Sequence, residues 1–320
     1  MATKATVLIT PRSLTGTRHA VLTPLEAAGF ELRHATPGKL PDEAELLRLI
    51  PGCIGWLAGV EPVSEAVIQA ATVLRVISRN GVGSDNLPVN LLRERGVVVR
   101  TADGANARGV AELTVGLMLS ALRHIPRVDA GIKAGAWPRL RGRELGGRTV
   151  GIVGCGAIGG RVATIVAAFG ANVVTYDPFP RDLERDSPAW RRVQFTELLA
   201  YADVVTLHCP PPADGRALID VEQLATMRHG AVLVNAARAS LVDERAVCDA
   251  LDAGSLDMYA TDVFAEEPPQ SLTLAGHPKV IGTSHLGAFT EESVERAGVI
   301  AVANLLDEIN AGRSSRVGSP

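Results

Sequence analysis

One segment decides the fold: TVGIVGCGAIGG, residues 149–160. Its first five residues have the apolar composition of a β-strand, and the glycines that follow have the spacing Gly-x-Gly-x-x-Gly before a helical pattern begins. In such a turn the first glycine permits the tight bend, the second lets the backbone approach a pyrophosphate, and the third lets the helix pack close to its strand. The helix N-terminus then presents unpaired N–H groups to the anion. The segment therefore predicts a dinucleotide-binding turn with Gly154, Gly156 and Gly159 in these three places.

A second predicted strand, residues 172–176, ends on Asp177. A carboxylate at this place accepts hydrogen bonds from both hydroxyls of an adenosine ribose and repels a 2′-phosphate. The alternative is a structural turn with a helix-capping aspartate, which the surrounding strand-helix-strand pattern disfavours. Asp177 therefore predicts NAD, and not NADP, as the cofactor.

Composition sets the class of protein. The chain has 320 residues, of which 47% are hydrophobic and 4% aromatic, as is typical of an Ala/Val/Leu-rich α/β enzyme of two domains. A formal net charge of −3 gives no electrostatic reason to expect nucleic acid or an anionic membrane as a partner. The sequence has no secretory leader and no apolar run of about 18 residues, so a cytoplasmic location is expected. Its 4 cysteines lack Cys-x-x-Cys spacing, which favours reduced thiols and no metal site.

Apolar segments alternate with helical stretches along the whole chain, which predicts an α/β protein with two doubly wound parallel sheets of Rossmann-like or flavodoxin-like type. The predicted strands of the first sheet are residues 6–10, 31–36, 53–58, 74–79 and 97–101. The six predicted strands of the second are residues 149–153, 172–176, 203–208, 231–235, 258–261 and 280–282.

Two long helices lie outside this alternation. Residues 107–124 carry a wide apolar stripe, which favours a helix that joins the domains and packs against a second subunit. A last helix, residues 291–310, has an apolar face but no strand after it, so its return to the first domain is expected. The chain is therefore expected to form a homodimer.

Three more segments follow predicted strands of the second sheet: NAAR (235–238), DVFAEEP (262–268) and SHLG (284–287). They supply one arginine, several carboxylates and one histidine. Transfer of a hydride at the carbinol carbon of a 2-hydroxy acid needs a base for the hydroxyl proton, a guanidinium for the carboxylate and an acid that tunes the base. Histidine suits the base because its ordinary pKa of about 6.5 lies near neutral pH. Each segment alone is more often structural, but together they favour a catalytic edge.

With the glycine-rich turn and Asp177, these motifs resemble those of the D-isomer-specific 2-hydroxyacid dehydrogenases. Residues 79–86 (RNGVGSDN) and 104–106 (GAN) extend the resemblance to nearly the whole chain. The resemblance implies two domains with the active-site cleft between them. Residues 1–101 plus 286–320 would form the substrate domain, and residues 102–285 the NAD-binding domain, including a dimerisation helix at 107–124.

The resemblance also implies a role for each site residue. Arg238 would bind the substrate carboxylate and 2-oxygen, His285 would be the acid/base, and Glu267 would hydrogen-bond to His285. Asp262 would contact the nicotinamide end. The residues expected to line the cofactor are Gly154, Gly156, Ala157, Ile158, Gly159, Asp177, Cys209, Ala236, Ala237, Asp262, Gly287 and Ala288.

Within the family, the motifs look most like those of phosphoglycerate dehydrogenases, which implies D-3-phosphoglycerate and 3-phosphohydroxypyruvate as substrates. Arg79 and Arg139 match basic residues that hold the distal phosphate there, and the backbone N–H groups of Asn80, Gly81, Val82 and Gly83 would face the substrate. Ala58 stands where those enzymes often place another arginine. Glyoxylate, hydroxypyruvate or a phosphonate analogue therefore stay open as substrates. In a different class, an NADH-sensing corepressor-like binding protein would retain the same fold.

Overall fold

The computed structural model describes residues 4–16, 19–84, 86–179 and 190–317, with side chains to residue 311. The chain divides into two units, one of Met1–Asn106 with Thr290–Pro320 and one of Ala107–Phe289. Each unit is built on a parallel sheet with helices, so the predicted fold class is confirmed. Assignment of the first unit as the substrate domain stays a prediction.

The first unit contains a sheet of five described strands in the order β2-β1-β3-β4-β5. Its elements are β1 (Thr6–Ile9), α1 (Arg12–Thr15), α2 (Thr23–Ala27), β2 (Glu31–His34), α3 (Glu43–Leu49), β3 (Cys53–Ala58), α4 (Glu65–Ala70), β4 (Val76–Arg79), α5 (Val89–Glu94) and β5 (Val98–Arg100). This order is the flavodoxin-like one, in which the direction of winding reverses between the first and third strands. All five strands were predicted, with ends that differ by up to two residues.

The second unit contains a sheet of seven described strands in the order β12-β11-β10-β9-β6-β7-β8. Its elements are α6 (Ala107–Arg123), α7 (Ile125–Lys133), β6 (Thr149–Val153), α8 (Gly159–Ala168), β7 (Asn172–Tyr176), β8 (Trp190–Arg192), α9 (Phe195–Tyr201), β9 (Val204–Leu207), α10 (Val221–Thr226), β10 (Ala231–Asn235), α11 (Glu244–Ala253), β11 (Leu256–Thr261), α12 (Leu272–Ala275) and β12 (Val280–Gly282). Six of these strands were predicted. The count was wrong by one, because β8 is three residues long, lies at the sheet edge and contains two arginines.

The chain reverses its direction of winding between β6 and β9, which are neighbours in the second sheet. In open parallel sheets, ligands bind outside the carboxyl ends of the strands at such a reversal. The glycine-rich turn follows β6, and His208 and Cys209 follow β9. The topology therefore puts these residues where a ligand is expected.

The second sheet is covered on both faces. On one face, α6 packs on the sheet through Ala111, Val115 and Met118, all of them buried. A second core cluster, which includes Leu198 of α9 and Leu251 of α11, also packs on the strands. Burial on both faces explains why β6, β9 and β10 read as continuous apolar runs.

The last helix, α13 (Glu291–Val317), belongs to the first unit and packs on β3. A Cβ on Gly55 of β3 would lie 3.1 Å from Ile309 Cδ1 and 3.3 Å from Leu305 Cδ2, so glycine permits the close approach. The expected return of the last helix to the first sheet is confirmed. The helix continues to Val317, past the predicted end at residue 310.

Candidate active site

The turn after β6 needs two of its glycines for packing alone. Gly154 has a φ of 88°, and a Cβ there would lie 2.7 Å from the backbone of His208 at the end of β9. A Cβ on Gly159, the first residue of α8, would lie 2.0 Å from the carbonyl oxygen of Gly154. These are the tight bend and the close helix-to-strand packing that the spacing predicts.

Gly156 is different, because a Cβ there would meet no described atom within 4 Å. The open space lies beside the N-terminus of α8, which begins at Gly159, with Ala157 exposed and Ile158 at the N-cap position. A helix start with space in front of it fits a pyrophosphate. The residues present in this turn therefore fit the dinucleotide that the sequence predicts.

Asp177 follows β7 and is joined to this turn. Its Oδ2 accepts a hydrogen bond from the backbone N–H of Cys155 at 2.8 Å, and its Oδ1 accepts one from the N–H of Phe179 at 2.8 Å. Each carboxylate oxygen has a second lone pair, so both oxygens can also accept from ribose hydroxyls. The carboxylate is thus fixed beside the glycine-rich turn, as a ribose-binding acid requires.

The end of β9 carries no acid or base at neutral pH. Burial lowers the pKa of His208 to about 3, and its Nε2 lies 3.0 Å from Thr206 Oγ1. Burial also raises the pKa of the Cys209 thiol to about 11. His208 is therefore neutral at pH 7.

Three neighbouring strands bring the catalytic candidates to one edge. Asn235 of β10 is in register with Thr261 of β11, and Thr261 is in register with Gly282 of β12. Arg238 and His285 each lie three residues beyond these aligned positions, since the strands are parallel. The segments NAAR, DVFAEEP and SHLG therefore leave the sheet side by side.

Asn235 shapes the turn that carries Arg238, a role that the sequence did not reveal. Its side-chain Nδ2 donates to the Arg238 carbonyl oxygen at 2.9 Å, and its Oδ1 accepts from the N–H of Ala237 at 3.1 Å. Asn235 is fully buried, Ala236 is buried and Ala237 is half-buried. Ala236 and Ala237 thus lie in a turn whose shape is fixed by the side-chain amide of Asn235.

His285 and Glu267 form the pair that the resemblance implies. Glu267 Oε2 lies 2.8 Å from His285 Nδ1, and Glu267 Oε1 accepts from the N–H of Phe264 at 3.2 Å. The two side chains are 49% and 40% exposed, respectively. Because a carboxylate only accepts hydrogen bonds, Nδ1 carries the proton, and Nε2 is the nitrogen that can exchange a proton with another molecule.

Asp262 is 1% exposed and uses both carboxylate oxygens within the protein. Oδ1 accepts from the N–H of Leu286 at 2.7 Å and from Thr283 Oγ1 at 2.6 Å, and Oδ2 accepts from the N–H of Gly287 at 2.8 Å. These bonds to the His285 turn were not predicted. The expected contact of Asp262 with the nicotinamide end stays a prediction, as does the lining role of Ala288, which is exposed.

The predicted substrate loop follows β4 in the first unit, with Arg79 buried at 7% exposure. The expectation that Asn80 offers its backbone N–H to a substrate is wrong, because that group donates to the Ala58 carbonyl oxygen at 2.8 Å. Among the described residues, no acceptor is found for the N–H groups of Gly81, Val82 and Gly83. Within the described part of the chain, these three consecutive N–H groups therefore stay available to an anion.

Two charged residues bear on the predicted contact with a distal phosphate. Arg139 is exposed and lies after α7, in the second unit. In the first unit, fully buried Glu61 follows β3, and its Oε1 accepts from the N–H of Gly59 at 2.9 Å. No sequence motif singles out this carboxylate, which stands three residues after Ala58.

Within the described ranges, no helix is both long and apolar enough to cross a membrane. Over the same residues, no group of three or more histidine, cysteine, aspartate or glutamate side chains has the arrangement of a metal site.

Comparison with known proteins agrees with this geometry. Residues 115–287 match the family model of the D-isomer specific 2-hydroxyacid dehydrogenase NAD-binding domain. D-3-phosphoglycerate dehydrogenase of Methanocaldococcus jannaschii is 43% identical over 76% of this chain and 47% of that protein. Hydroxypyruvate reductase of Thermotoga maritima is 35% identical over 84% of this chain and 89% of that protein. The NAD+-bound structure of 3-phosphoglycerate dehydrogenase from Entamoeba histolytica has a TM-score of 0.80 at 26% identity and covers 97% of both chains.

The chain belongs to the D-isomer-specific 2-hydroxyacid dehydrogenase family, and its second unit carries that family's NAD-binding domain. It spans about half the length of the curated phosphoglycerate dehydrogenases that it matches, including the M. jannaschii protein.

Proposed function

We propose that this protein is an NAD-dependent oxidoreductase that interconverts a D-2-hydroxy acid and its 2-keto acid. The observation that carries the proposal is the His285–Glu267 pair, with Nδ1 and Oε2 2.8 Å apart, at the sheet edge that also carries Arg238. A proton carrier and a carboxylate-binding cation at one edge of a sheet are what this reaction requires. Bound NADH supplies the hydride.

Each side chain has one task in the reducing direction. Arg238 holds the carboxylate of the keto acid and polarises its 2-oxygen. His285 gives the proton on Nε2 to that oxygen, while Glu267 orients the ring. In the oxidising direction, neutral His285 takes the proton back.

The substrate that we favour is 3-phosphohydroxypyruvate, with D-3-phosphoglycerate as the reduced partner. Arg79 and Arg139 support it as cations for a distal phosphate, and the N–H groups of Gly81, Val82 and Gly83 support binding of an anion. The relative from M. jannaschii is named for this activity.

Hydroxypyruvate is the second candidate, and two observations favour it. Ala58 supplies no cation after β3, while Glu61, three residues later, is a buried carboxylate that disfavours a nearby dianion. The T. maritima hydroxypyruvate reductase also matches over most of its own length. A keto acid without a phosphate needs neither arginine.

Initial rates of NADH oxidation with four keto acids test the proposal: 3-phosphohydroxypyruvate, hydroxypyruvate, glyoxylate and pyruvate. We expect the highest kcat/KM with 3-phosphohydroxypyruvate, and a much lower rate when NADPH replaces NADH because Asp177 repels a 2′-phosphate. A higher kcat/KM for hydroxypyruvate would refute the phosphoglycerate assignment and leave the dehydrogenase. Tight NADH binding without turnover of any keto acid would favour the corepressor-like alternative.

A further inference from the structure

His285 has an unusual backbone conformation for a residue with a side chain. Its φ is 56°, in the left-handed region that glycine adopts easily and other residues rarely do. Such a conformation costs energy and persists only where surrounding contacts enforce it. The turn at His285 must therefore be held in place by its neighbours.

The Asp262 carboxylate makes these contacts. The two N–H groups that follow His285, those of Leu286 and Gly287, converge on it at 2.7 Å and 2.8 Å. Consecutive N–H groups next to a left-handed residue form a concave anion-binding arrangement, and here the anion comes from the protein itself. The hydroxyl of Thr283, on the other side of His285, donates to the same carboxylate at 2.6 Å.

The arrangement leaves little freedom for change. Asp262 is buried and directly follows β11, so the sheet fixes its position. A Cβ on Gly287 would lie 3.0 Å from Asp262 Oδ2 and 3.1 Å from Val110 Cγ2, so glycine is needed there. An asparagine in place of Asp262 would direct an NH2 group at one of the two N–H donors.

We propose that Asp262 is a positioning residue, whose buried carboxylate holds the left-handed turn and thereby keeps His285 Nδ1 within hydrogen-bond distance of Glu267. This inference rests on the proposed function of His285 in proton transfer. It differs from the expected contact of Asp262 with the nicotinamide, because it requires no contact with the cofactor. The two roles predict different effects of Asp262→Asn on the dissociation constant of NADH.

The test is Asp262→Asn, measured by keto-acid reduction, by NADH titration and by proton NMR of the imidazole Nδ1–H, which is assigned through its absence in His285→Ala. We expect kcat to fall about 10²-fold, as for a misplaced catalytic group. The dissociation constant of NADH should stay within about twofold of the parent, which is a change of about 0.4 kcal/mol in binding free energy. The Nδ1–H resonance should be lost or shifted. Asp243→Asn is the matched control, because Asp243 accepts from the N–H of Ala246 as a helix N-cap, where asparagine serves equally well.

Three results would overturn the inference: an unchanged kcat, an unchanged imidazole resonance, or a rise in the NADH dissociation constant that matches the loss of kcat. The last result would assign Asp262 to the nicotinamide. If Asp262→Asn does not fold, Thr283→Val removes one donor and keeps the carboxylate. It should lower kcat roughly tenfold, the value of one hydrogen bond to a charged group, and should move the same resonance, while a parental resonance and rate would refute the role.

Failure of the proposed function is separable from failure of this inference. A parent protein that turns over no keto acid would remove the proposed function. The imidazole resonance of the parent and of Asp262→Asn would still report whether Asp262 sets the position of His285.

Discussion

At the scale of single residues, His285 and Glu267 give the most direct prediction. His285→Ala should lower kcat by about 10² to 10⁴, the usual contribution of a general acid, because no other group on that turn can supply the proton. NADH affinity, measured by fluorescence titration, should stay near that of the parent. A variant with near-parental turnover would show that the proton comes from elsewhere.

Glu267→Gln should slow the reaction. The Glu267 carboxylate lies 2.8 Å from His285 Nδ1 and orients the imidazole. Glutamine can turn its NH2 group toward Nδ1–H, so the ring loses part of its orientation. We expect kcat of keto-acid reduction to fall about tenfold, with the dissociation constant of NADH near that of the parent, and an unchanged kcat would contradict the pairing.

His208 makes folding sensitive to acid. Burial lowers the pKa of His208 from 6.5 to about 3, so the folded state keeps it neutral while the unfolded state binds a proton below pH 6.5. Stability is therefore present above pH 6.5 and falls as pH decreases toward 3, by about 1.4 kcal/mol per pH unit. His208→Gln should lose about 2 kcal/mol less than the parent between pH 7.5 and pH 5, by the same relation. Urea unfolding at both pH values measures this, and equal losses would show that His208 titrates normally.

At the scale of elements, the turn between β6 and α8 contains one glycine needed for packing and another expected to face the cofactor. Gly159→Ala should lower the free energy of unfolding by about 2 to 3 kcal/mol, because its Cβ would lie 2.0 Å from the Gly154 carbonyl oxygen. Gly156→Ala should leave stability within about 0.5 kcal/mol and weaken NADH, because it fills only the space in front of the helix.

Gly160→Ala is the matched control in the same turn. Its Cβ would meet no described atom closer than 3.9 Å, and alanine suits a helix better than glycine. We expect slightly higher stability and parental NADH affinity. Thermal unfolding and NADH titration of the three variants check both expectations. A Gly156→Ala protein with parental NADH affinity would show that the pyrophosphate does not bind at this turn.

The elements differ in how far the sequence could predict them. Strands β6, β9 and β10 are buried on both faces, so their apolar runs are visible in the sequence. Strand β8 gives no such signal, because a short edge strand with two arginines has little apolar surface. The family resemblance implied the pairing of His285 with Glu267, and the two side chains lie 2.8 Å apart.

The backbone hydrogen bonds that hold the site in place could not be predicted from residue types. The bonds from Leu286 and Gly287 to Asp262 join residues 24 and 25 positions apart, and backbone N–H groups leave no trace in residue type. The same holds for the Asn80 N–H, whose partner depends on the register of β3 and β4. Sequence patterns thus predicted which side chains are available for the reaction. The tertiary fold determines which backbone N–H groups already donate a hydrogen bond within the protein.

At the scale of the whole molecule, the expected homodimer stays a prediction, and exposed apolar side chains indicate where a second copy could bind. The apolar stripe of α6 is largely buried within its own unit. Helix α7, by contrast, has no buried residue, and it exposes Ile125 at 52% and Ile132 at 49%, with Trp137 at 80% shortly after it. We propose that this apolar surface forms the contact between two copies.

Light scattering should then give about twice the chain mass of 33.6 kDa. The double variant Ile125→Asp/Ile132→Asp should be monomeric, because two carboxylates cannot be buried unpaired at an interface. Leu272→Asp, on an equally apolar residue that is 71% exposed, should stay dimeric. A monomeric parent would refute the dimer, and a dimeric double variant would place the contact on another surface.

The first unit is made of residues from both ends of the chain, since α13 covers a face of the sheet that begins with β1. The second unit is a single uninterrupted stretch, residues 107–289. During synthesis on the ribosome, a nascent chain that has emerged as far as residue 289 already holds everything the second unit needs. The earlier-made sheet still lacks the helix that shields Val7, Leu57 and Val76. Of the two units, the one whose synthesis begins first is therefore the one that is completed last.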